Sequence, residues 1–159
     1  MRRLWTIICG GGALVGLVWF AACAVHTPDA TAQKPESKRK NKPVENDMHE
    51  FMGHLFQPPY ERLRQSLAIK PSGKAAWKNI ASDSLILAEG GNLLLARSPD
   101  EQDDSWVSNA TGIRTFGTFV YRSSREKDYT TVLFNYRHMV DQCNDCHREF
   151  ADGVPHLDP

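Results

Sequence analysis

The 159-residue chain is 41% apolar, 9% aromatic and 24% charged, which is the composition of an ordinary globular domain and argues against collagen, coiled-coil and wholly disordered chains. Its 19 basic and 19 acidic side chains cancel, so the overall charge gives no indication of a nucleic-acid partner, which needs a clustered excess of Lys and Arg. The four cysteines, at positions 9, 23, 143 and 146, are too few for a disulfide scaffold of this length.

Residues 1–22 have the pattern of an export signal. Two arginines follow Met1, an uncharged run extends from Leu4 to Val25, and small residues precede Cys23. The stretch resembles a bacterial lipoprotein signal, which implies that Cys23 is lipidated and becomes the first mature residue. Two alternatives remain: an uncleaved membrane helix, since 22 uncharged residues are just long enough to span a bilayer, or ordinary cleavage near Ala30-Thr31-Ala32. All three predict a periplasmic or extracytoplasmic protein, and we expect a membrane anchor through Cys23.

Residues 23–46 are predicted to form a flexible tether. The segment is rich in Thr, Pro and Lys and lacks apolar periodicity, so it cannot bury a core. Its basic run, Lys38-Arg39-Lys40-Asn41-Lys42, is more typical of solvated linker charge than of a nucleic-acid or lipid site. The remaining residues, 47–159, carry 12 basic and 16 acidic side chains, a net charge of −4. The folded domain is therefore predicted to be mildly acidic.

Apolar residues at spacings of three and four predict that residues 47–159 fold as four helices without strands. The first begins at Asn46 or Asp47, is broken or kinked at Pro58-Pro59, and continues through Leu67 to end before Pro71. Its apolar positions are Met48, Phe51, Met52, Leu55, Phe56, Tyr60, Leu63 and Leu67.

The second predicted helix is capped by Ser72 and ends near Arg97, and Gly90-Gly91 either weakens it or permits close approach by a neighbour. The third is predicted to begin at Ser98-Pro99-Asp100-Glu101, which combines a cap, a proline at the first helical position and a glutamate placed for a capping box. The apolar stripes are Ala76, Trp77, Ile80, Leu85, Leu87 and Leu94 in the second helix, and Trp106, Ala110, Ile113, Phe116, Val120 and Tyr121 in the third.

The fourth predicted helix is capped by Asp128 and closed by Gly153 and Pro155. Its inner face consists of Val132, Tyr136, Met139, Val140 and Cys143. Short loops between four helices predict an all-α fold, an antiparallel four-helix bundle with a shared core.

The most informative segment is Cys143-Asn144-Asp145-Cys146-His147, the attachment signature of c-type haem. On a helix, positions 0, 3 and 4 share one face, so two thiols can meet the two haem vinyl groups while the imidazole reaches the iron. We therefore predict one haem c per chain, with thioethers to Cys143 and Cys146 and with His147 as an axial ligand. Such attachment follows export, which the amino-terminal segment independently predicts.

Alternative roles for the cysteine pair fit the sequence less well. A thioredoxin-like redox site requires a strand-helix-strand setting, and none is predicted. A structural zinc site needs a second ligand pair, for which only His138 or His156 is available. A plain disulfide would close too short a loop to add much stability. A lipid-anchored binding module without haem, whose cysteines form a disulfide or metal clip, remains the non-haem alternative.

Only 12 residues follow His147, and none is methionine, so an axial methionine cannot come from downstream. Residues from Asp47 to Ala151 resemble the class II cytochromes c, the cytochrome c′ type, in a first helix with Met and Phe, in Trp77 and Trp106, and in the terminal haem motif. The resemblance implies a left-handed four-helix bundle, often a homodimer, with the haem between helices near the carboxyl end.

A sixth iron ligand should come from the first helix in such a bundle. Met52 is the leading candidate, Met48 is the second and His49 the third, because the two methionines share a face with Leu55 and Phe56. The alternative is that both methionines are ordinary core residues against the porphyrin.

The two outcomes predict different functions. Methionine ligation gives a closed, low-spin iron and an electron carrier, which is the leading prediction. A five-coordinate iron would bind NO or CO, as the resemblance implies. A weak peroxidase-like activity is the third alternative. No distal His/Arg arrangement for its acid-base chemistry is recognisable, so we do not expect an enzyme. The acidic domain predicts a neutral or basic redox partner. Four arginines, at positions 62, 64, 137 and 148, are candidates to pair with the haem propionates.

Overall fold

The computed structural model describes residues 42–98 and 103–159. Its elements are α1 (Met48–Phe51), a π-helical segment (Met52–Phe56), α2 (Gln57–Leu67), α3 (Gly73–Leu95), α4 (Asp104–Glu126) and α5 (Tyr129–Phe150). The first three follow one another without a break, so the described residues contain four long helical segments and no strand. The predicted all-α, four-helix class is confirmed. The predicted export signal, most of the tether, and Cys9 and Cys23 lie outside the described residues.

The first helical segment begins where its sequence predicts. The Asp47 carboxylate accepts hydrogen bonds from the backbone N–H groups of His49, at 2.8 Å, and Glu50, at 3.1 Å. Pro58 and Pro59 have no N–H and crowd the preceding carbonyls. The helix accommodates them by widening: the Gln57 N–H bonds to the carbonyl of Met52, five residues earlier. The predicted break or kink is therefore a π-helical segment inside a continuous helix.

The predicted helix start at Ser72 is confirmed in position, whereas the predicted start at Ser98 needs correction. Ser72 occupies the cap position of α3, but its hydroxyl makes no capping hydrogen bond. The predicted start of the third helix at Ser98 is wrong for α4, which begins at Asp104. Asp103 has an extended backbone, and its carboxylate accepts the N–H of Trp106 at 2.9 Å, so it supplies the cap. Pro99 to Glu101, the rest of the predicted capping box, lie outside the described residues.

Glycines allow α3 and α4 to approach closely. A Cβ at Gly91 would lie 2.8 Å from the backbone nitrogen of Arg114 and 2.9 Å from the carbonyl oxygen of Ala110. A Cβ at Gly117 would similarly lie 3.1 Å from the Cα and the nitrogen of Ala88. Of the two roles that the sequence allows for Gly90-Gly91, the structure selects close approach. The buried core spans all four segments and contains Leu63, Leu67, Ile80, Leu87, Leu94, Trp106, Ile113, Val120, Val132, Tyr136, Met139 and Val140.

The backbones of α3 and α4 and of α4 and α5 approach closely, and those of α2 and α3 approach at fewer points. By contrast, α2 and α5 are separated by a groove and meet mainly through long side chains. The Tyr129 hydroxyl at the start of α5, for example, donates to the carbonyl of Leu67 at the end of α2, at 2.9 Å. The carboxyl-terminal segment, up to Pro159, also lines this groove.

The cap of α5 predicts a pH dependence of stability. Asp128 accepts hydrogen bonds from the hydroxyl and backbone N–H of Thr131, at 2.6 and 3.2 Å, and these bonds lower the pKa of its carboxyl. Its contribution is present above the pKa of the unfolded chain and is lost as the pH falls through the lower folded-state pKa. We expect Asp128→Ala to lower the free energy of unfolding at pH 7, with the difference from wild type disappearing in acid. Denaturant titrations across pH measure this difference. Asp128→Asn, which keeps the cap without the charge, should lose the pH dependence but little stability at pH 7.

Candidate functional site: the carboxyl-terminal end of α5

The three residues of the haem signature lie on the last turns of α5. Cys143, Cys146 and His147 fall at positions 0, 3 and 4 of a regular helix, and all three are half-buried. Spacings of three and four place side chains on one helical face. The two thiols and the imidazole therefore face the same side of the helix.

The two sulfur atoms remain free thiols. Cys143 and Cys146 form no disulfide. The pKa of Cys143 is raised to about 12, mainly by burial and to a smaller extent by the neighbouring Cys146. The pKa of Cys146 is raised to about 11, mainly by burial and to a smaller extent by the charge of Glu149. Both thiols are therefore protonated at neutral pH. This is not the electropositive environment that produces a reactive thiolate in redox enzymes.

The imidazole beside them has an unusual environment. Burial lowers the pKa of His147, so the ring is neutral at pH 7. Its Nδ1 atom is buried and has no hydrogen-bond partner in the structure. A neutral histidine is the form that ligates metals, and buried ring nitrogens are normally paired. The donor set of two free thiols and one neutral imidazole on one face fits a covalently attached haem.

A second buried polar atom without a partner lies on the same helix. The hydroxyl of Tyr136 has no hydrogen-bond partner within residues 42–98 and 103–159, and the residue is only 1% exposed. Burial raises its pKa, and smaller contributions come from Tyr60, which also raises it, and from Arg64, which lowers it. Cys143 raises the pKa of both tyrosines, so all four side chains surround one region between α2 and α5.

Asn144, inside the signature, holds the carboxyl-terminal segment against α5. Its side-chain oxygen accepts the Leu157 N–H at 2.8 Å, and its amide nitrogen donates to the Leu157 carbonyl at 3.0 Å. From α2, the Tyr60 hydroxyl donates to the carbonyl of Asp158 at 2.7 Å. In the sequence, Asn144 stands only as a spacer within the signature. Its spacing of four from Val140 and eight from Tyr136 was the available signal of an inward position.

The methionines predicted for the distal side lie in the first helical segment. Met48 and Met52 are both partly buried and pack against the core. Met52 also begins the π-helical segment, a local geometry that is frequent at functional sites. The third candidate, His49, is exposed.

The remaining histidines have different surroundings. His54 is exposed and lies 3.4 Å from the Glu50 carboxylate. His138 packs against Phe116 and Phe134, and His156 lies beside the Asn144 amide. In residues 42–98 and 103–159, no three His, Cys, Asp or Glu side chains cluster closely enough to hold a metal ion. A haem iron needs only one or two protein ligands, so this finding concerns sites of the zinc type.

No helix in the described part of the chain is long and apolar enough to cross a membrane. The predicted anchor, Cys23, and the apolar run around it lie outside that part. Comparison with protein-family models, with curated proteins and with solved structures finds no match for this chain.

Proposed function

We propose that this protein is an exported monohaem c-type cytochrome that carries electrons. The observation that supports it best is the donor set at the end of α5. Two thiols that form no disulfide, and an imidazole whose pKa is lowered by burial, lie at helical positions 0, 3 and 4; the buried Nδ1 of that imidazole has no hydrogen-bond partner among the described residues. Attachment of a c-type haem uses all three of these groups at this spacing.

The proposed fold is an antiparallel four-helix bundle. Its support comes from the order of contacts between α3 and α4. The Trp106 indole N–H, in the first turn of α4, donates to the Leu94 carbonyl in the last turn of α3, at 2.8 Å. Further along α4, Gly117 contacts Ala88, which lies earlier in α3. Contacts that move forward along one helix and backward along its neighbour are expected of antiparallel packing.

Each residue of the signature has a defined chemical part. The Cys143 and Cys146 sulfurs would each form a bond to a carbon of one haem vinyl group, and each S–H proton would pass to the adjacent vinyl carbon. The neutral His147 ring would donate a nitrogen lone pair to the iron. When bound, the haem supplies reversible one-electron chemistry, which no side chain of this protein provides by itself.

Met52 is the proposed sixth ligand, with Met48 as the second choice. Methionine ligation closes the iron and raises its reduction potential, as an electron carrier requires. The second candidate function is NO or CO binding by a five-coordinate iron. It is favoured by the exposure of His49 and His54, which leaves no strong imidazole ligand on the inner face of the first helical segment.

We further propose that the domain works outside the cytoplasm, tethered through a lipidated Cys23. The net charge of −4 on residues 47–159 supports a neutral or basic redox partner. These parts of the proposal rest on the sequence. Metabolic labelling with a fatty acid, lost in Cys23→Ser but retained in Cys9→Ser, tests the anchor.

An absorption spectrum of the purified, matured protein tests the central proposal. We expect a c-type Soret band, a haem that resists acid-acetone extraction, and a low-spin ferric iron. Met52→Ala should convert the iron to high spin and open it to CO, whereas Met48→Ala should not. An unchanged low-spin spectrum in Met52→Ala would exclude Met52. A high-spin wild-type spectrum that responds to CO or NO would favour the gas binder.

A further inference from the structure

The groove between α2 and α5 has an unusual combination of charge and apolar surface. Its volume is about 490 Å³, and its walls include Leu67, Leu133 and Tyr129 together with Arg64 from α2 and Arg137 from α5. Tyr136 also lines it. The groove therefore presents two cations beside an apolar wall that includes part of Tyr136, which suits a ligand that is largely apolar but carries anionic groups.

The four arginines that the sequence could not distinguish separate clearly in the structure. Arg62 forms an ion pair with the buried carboxylate of Asp83, and its Nη2 lies 2.6 Å from the Asp83 Oδ1. Arg148 pairs with Asp145, three residues earlier on α5, at 3.0 Å. By contrast, Arg64 and Arg137 form no ion pair and no side-chain hydrogen bond with any residue of the described part of the chain.

The Tyr136 hydroxyl independently indicates a ligand in this groove. A buried hydroxyl without a partner is rare, because it gives up its hydrogen bond to water and gains nothing in return. Tyr136 lies seven residues before Cys143, about two helical turns away, and therefore on the same side of α5 as the signature. An acceptor atom in the groove would satisfy it.

We propose that the groove between α2 and α5 binds the haem carboxylates, with Arg64 and Arg137 as their cationic partners and the Tyr136 hydroxyl as a hydrogen-bond donor. This inference rests on the proposed function. A covalently attached haem carries two propionates on an otherwise apolar ring, which is the chemistry that the groove recognises. Guanidinium groups hold carboxylates in a fixed, often bidentate geometry.

Further titratable groups surround the same region. Tyr129, at the start of α5, lines the groove. Tyr60 of α2 donates a hydrogen bond to the carbonyl of Asp158 in the carboxyl-terminal segment, and the charge of Asp158 contributes to the raised pKa of Tyr60. Asp158 is the one carboxylate among them, and it would oppose the binding of an anion. The guanidinium groups of Arg64 and Arg137, which both line the groove, would attract such an anion.

The test uses the matured haem protein and the variants Arg64→Gln, Arg137→Gln, their double variant and Tyr136→Phe. Arg122→Gln, on the exposed part of α4, is the matched control because it removes the same charge elsewhere. We measure the reduction potential as a function of pH, and the propionate bending bands by resonance Raman spectroscopy. Loss of both guanidinium groups should lower the potential at pH 7, because positive charge disfavours the oxidised iron.

The same loss should raise the pKa of the haem carboxyl by about one unit or more, a tenfold change in its proton affinity. In a plot of reduction potential against pH, the slope changes at the pKa of this carboxyl, so the change of slope should move to higher pH. Tyr136→Phe, which keeps the ring in the core, should shift a propionate band without removing charge. The single variants and Tyr136→Phe decide the question even if the double variant fails to accumulate.

The possible results separate the two proposals. A wild-type protein without covalent haem overturns both the proposed function and this inference. A normal haem protein whose double variant and Tyr136→Phe variant match Arg122→Gln in both measurements overturns the carboxylate site alone. Shifts confined to the groove variants support it.

Discussion

Replacing Cys143 and Cys146 together with serine is expected to abolish the covalent haem attachment that we propose. Both sulfurs are free, half-buried and on one face of α5, so each is available for one thioether. Serine keeps the size and the local helix but forms no thioether under the same maturation. The measurements are haem staining after denaturing electrophoresis and the intact mass, which should fall by the mass of one haem in addition to the change from the two substitutions.

Asp145→Ala is the matched control for this experiment. Asp145 lies between the two cysteines and pairs with Arg148 at the surface, so its loss should leave the thioethers intact. Each single cysteine variant should retain one bond and therefore some covalent haem. Covalent haem in the double serine variant would show that the attachment lies elsewhere and would overturn the proposed function.

Gly91→Ala will destabilise the protein by about 1–3 kcal/mol, even though alanine is the better helix former by about 1 kcal/mol. The added methyl group would meet backbone atoms of α4, at 2.8 Å from the nitrogen of Arg114 and 2.9 Å from the oxygen of Ala110. Backbone atoms cannot rotate away as a flexible side chain could, so the two helices must separate. The free energy of unfolding from denaturant titration at pH 7 measures the cost.

Gly53→Ala provides the comparison, because a Cβ at Gly53 would meet no atom within 4 Å. That variant should be as stable as wild type or slightly more so. If Gly91→Ala unfolded at the same denaturant concentration as wild type, α3 and α4 would not approach as closely as the structure indicates.

The sequence predicted the helices well wherever a local signal specified them. Asp47 and Asp128 were recognisable as caps because a short acidic side chain beside an apolar periodic run can satisfy free N–H groups in its own first turn. The local signal misled at Ser98, where a favourable capping pattern is followed by Asp103, a second good cap five residues later. Local preference alone does not choose between two such caps.

For the candidate site as well, local spacing predicted some features, whereas others depend on residues distant in the sequence. The three residues of the signature follow from spacing, since positions 0, 3 and 4 must share a face of any helix. The structural role of Asn144 depends on its hydrogen bonds to Leu157, thirteen residues away. Arg62 and Arg148 are paired with Asp83 and Asp145, which distinguishes them from Arg64 and Arg137. Spacing along the chain carries no information about such partners.

By itself the sequence determined the helical class, the approximate extent of four helical segments and the spacing that places Cys143, Cys146 and His147 on one helical face. These features depend on interactions within a few residues, namely caps, apolar periodicity and the pitch of one helix. Only the tertiary structure decided that Gly91 lets α3 and α4 touch, that α2 and α5 stand apart, and that Tyr136 and His147 each bury a polar atom without a partner. These features arise from packing between distant segments, whose geometry depends on how the whole core is filled.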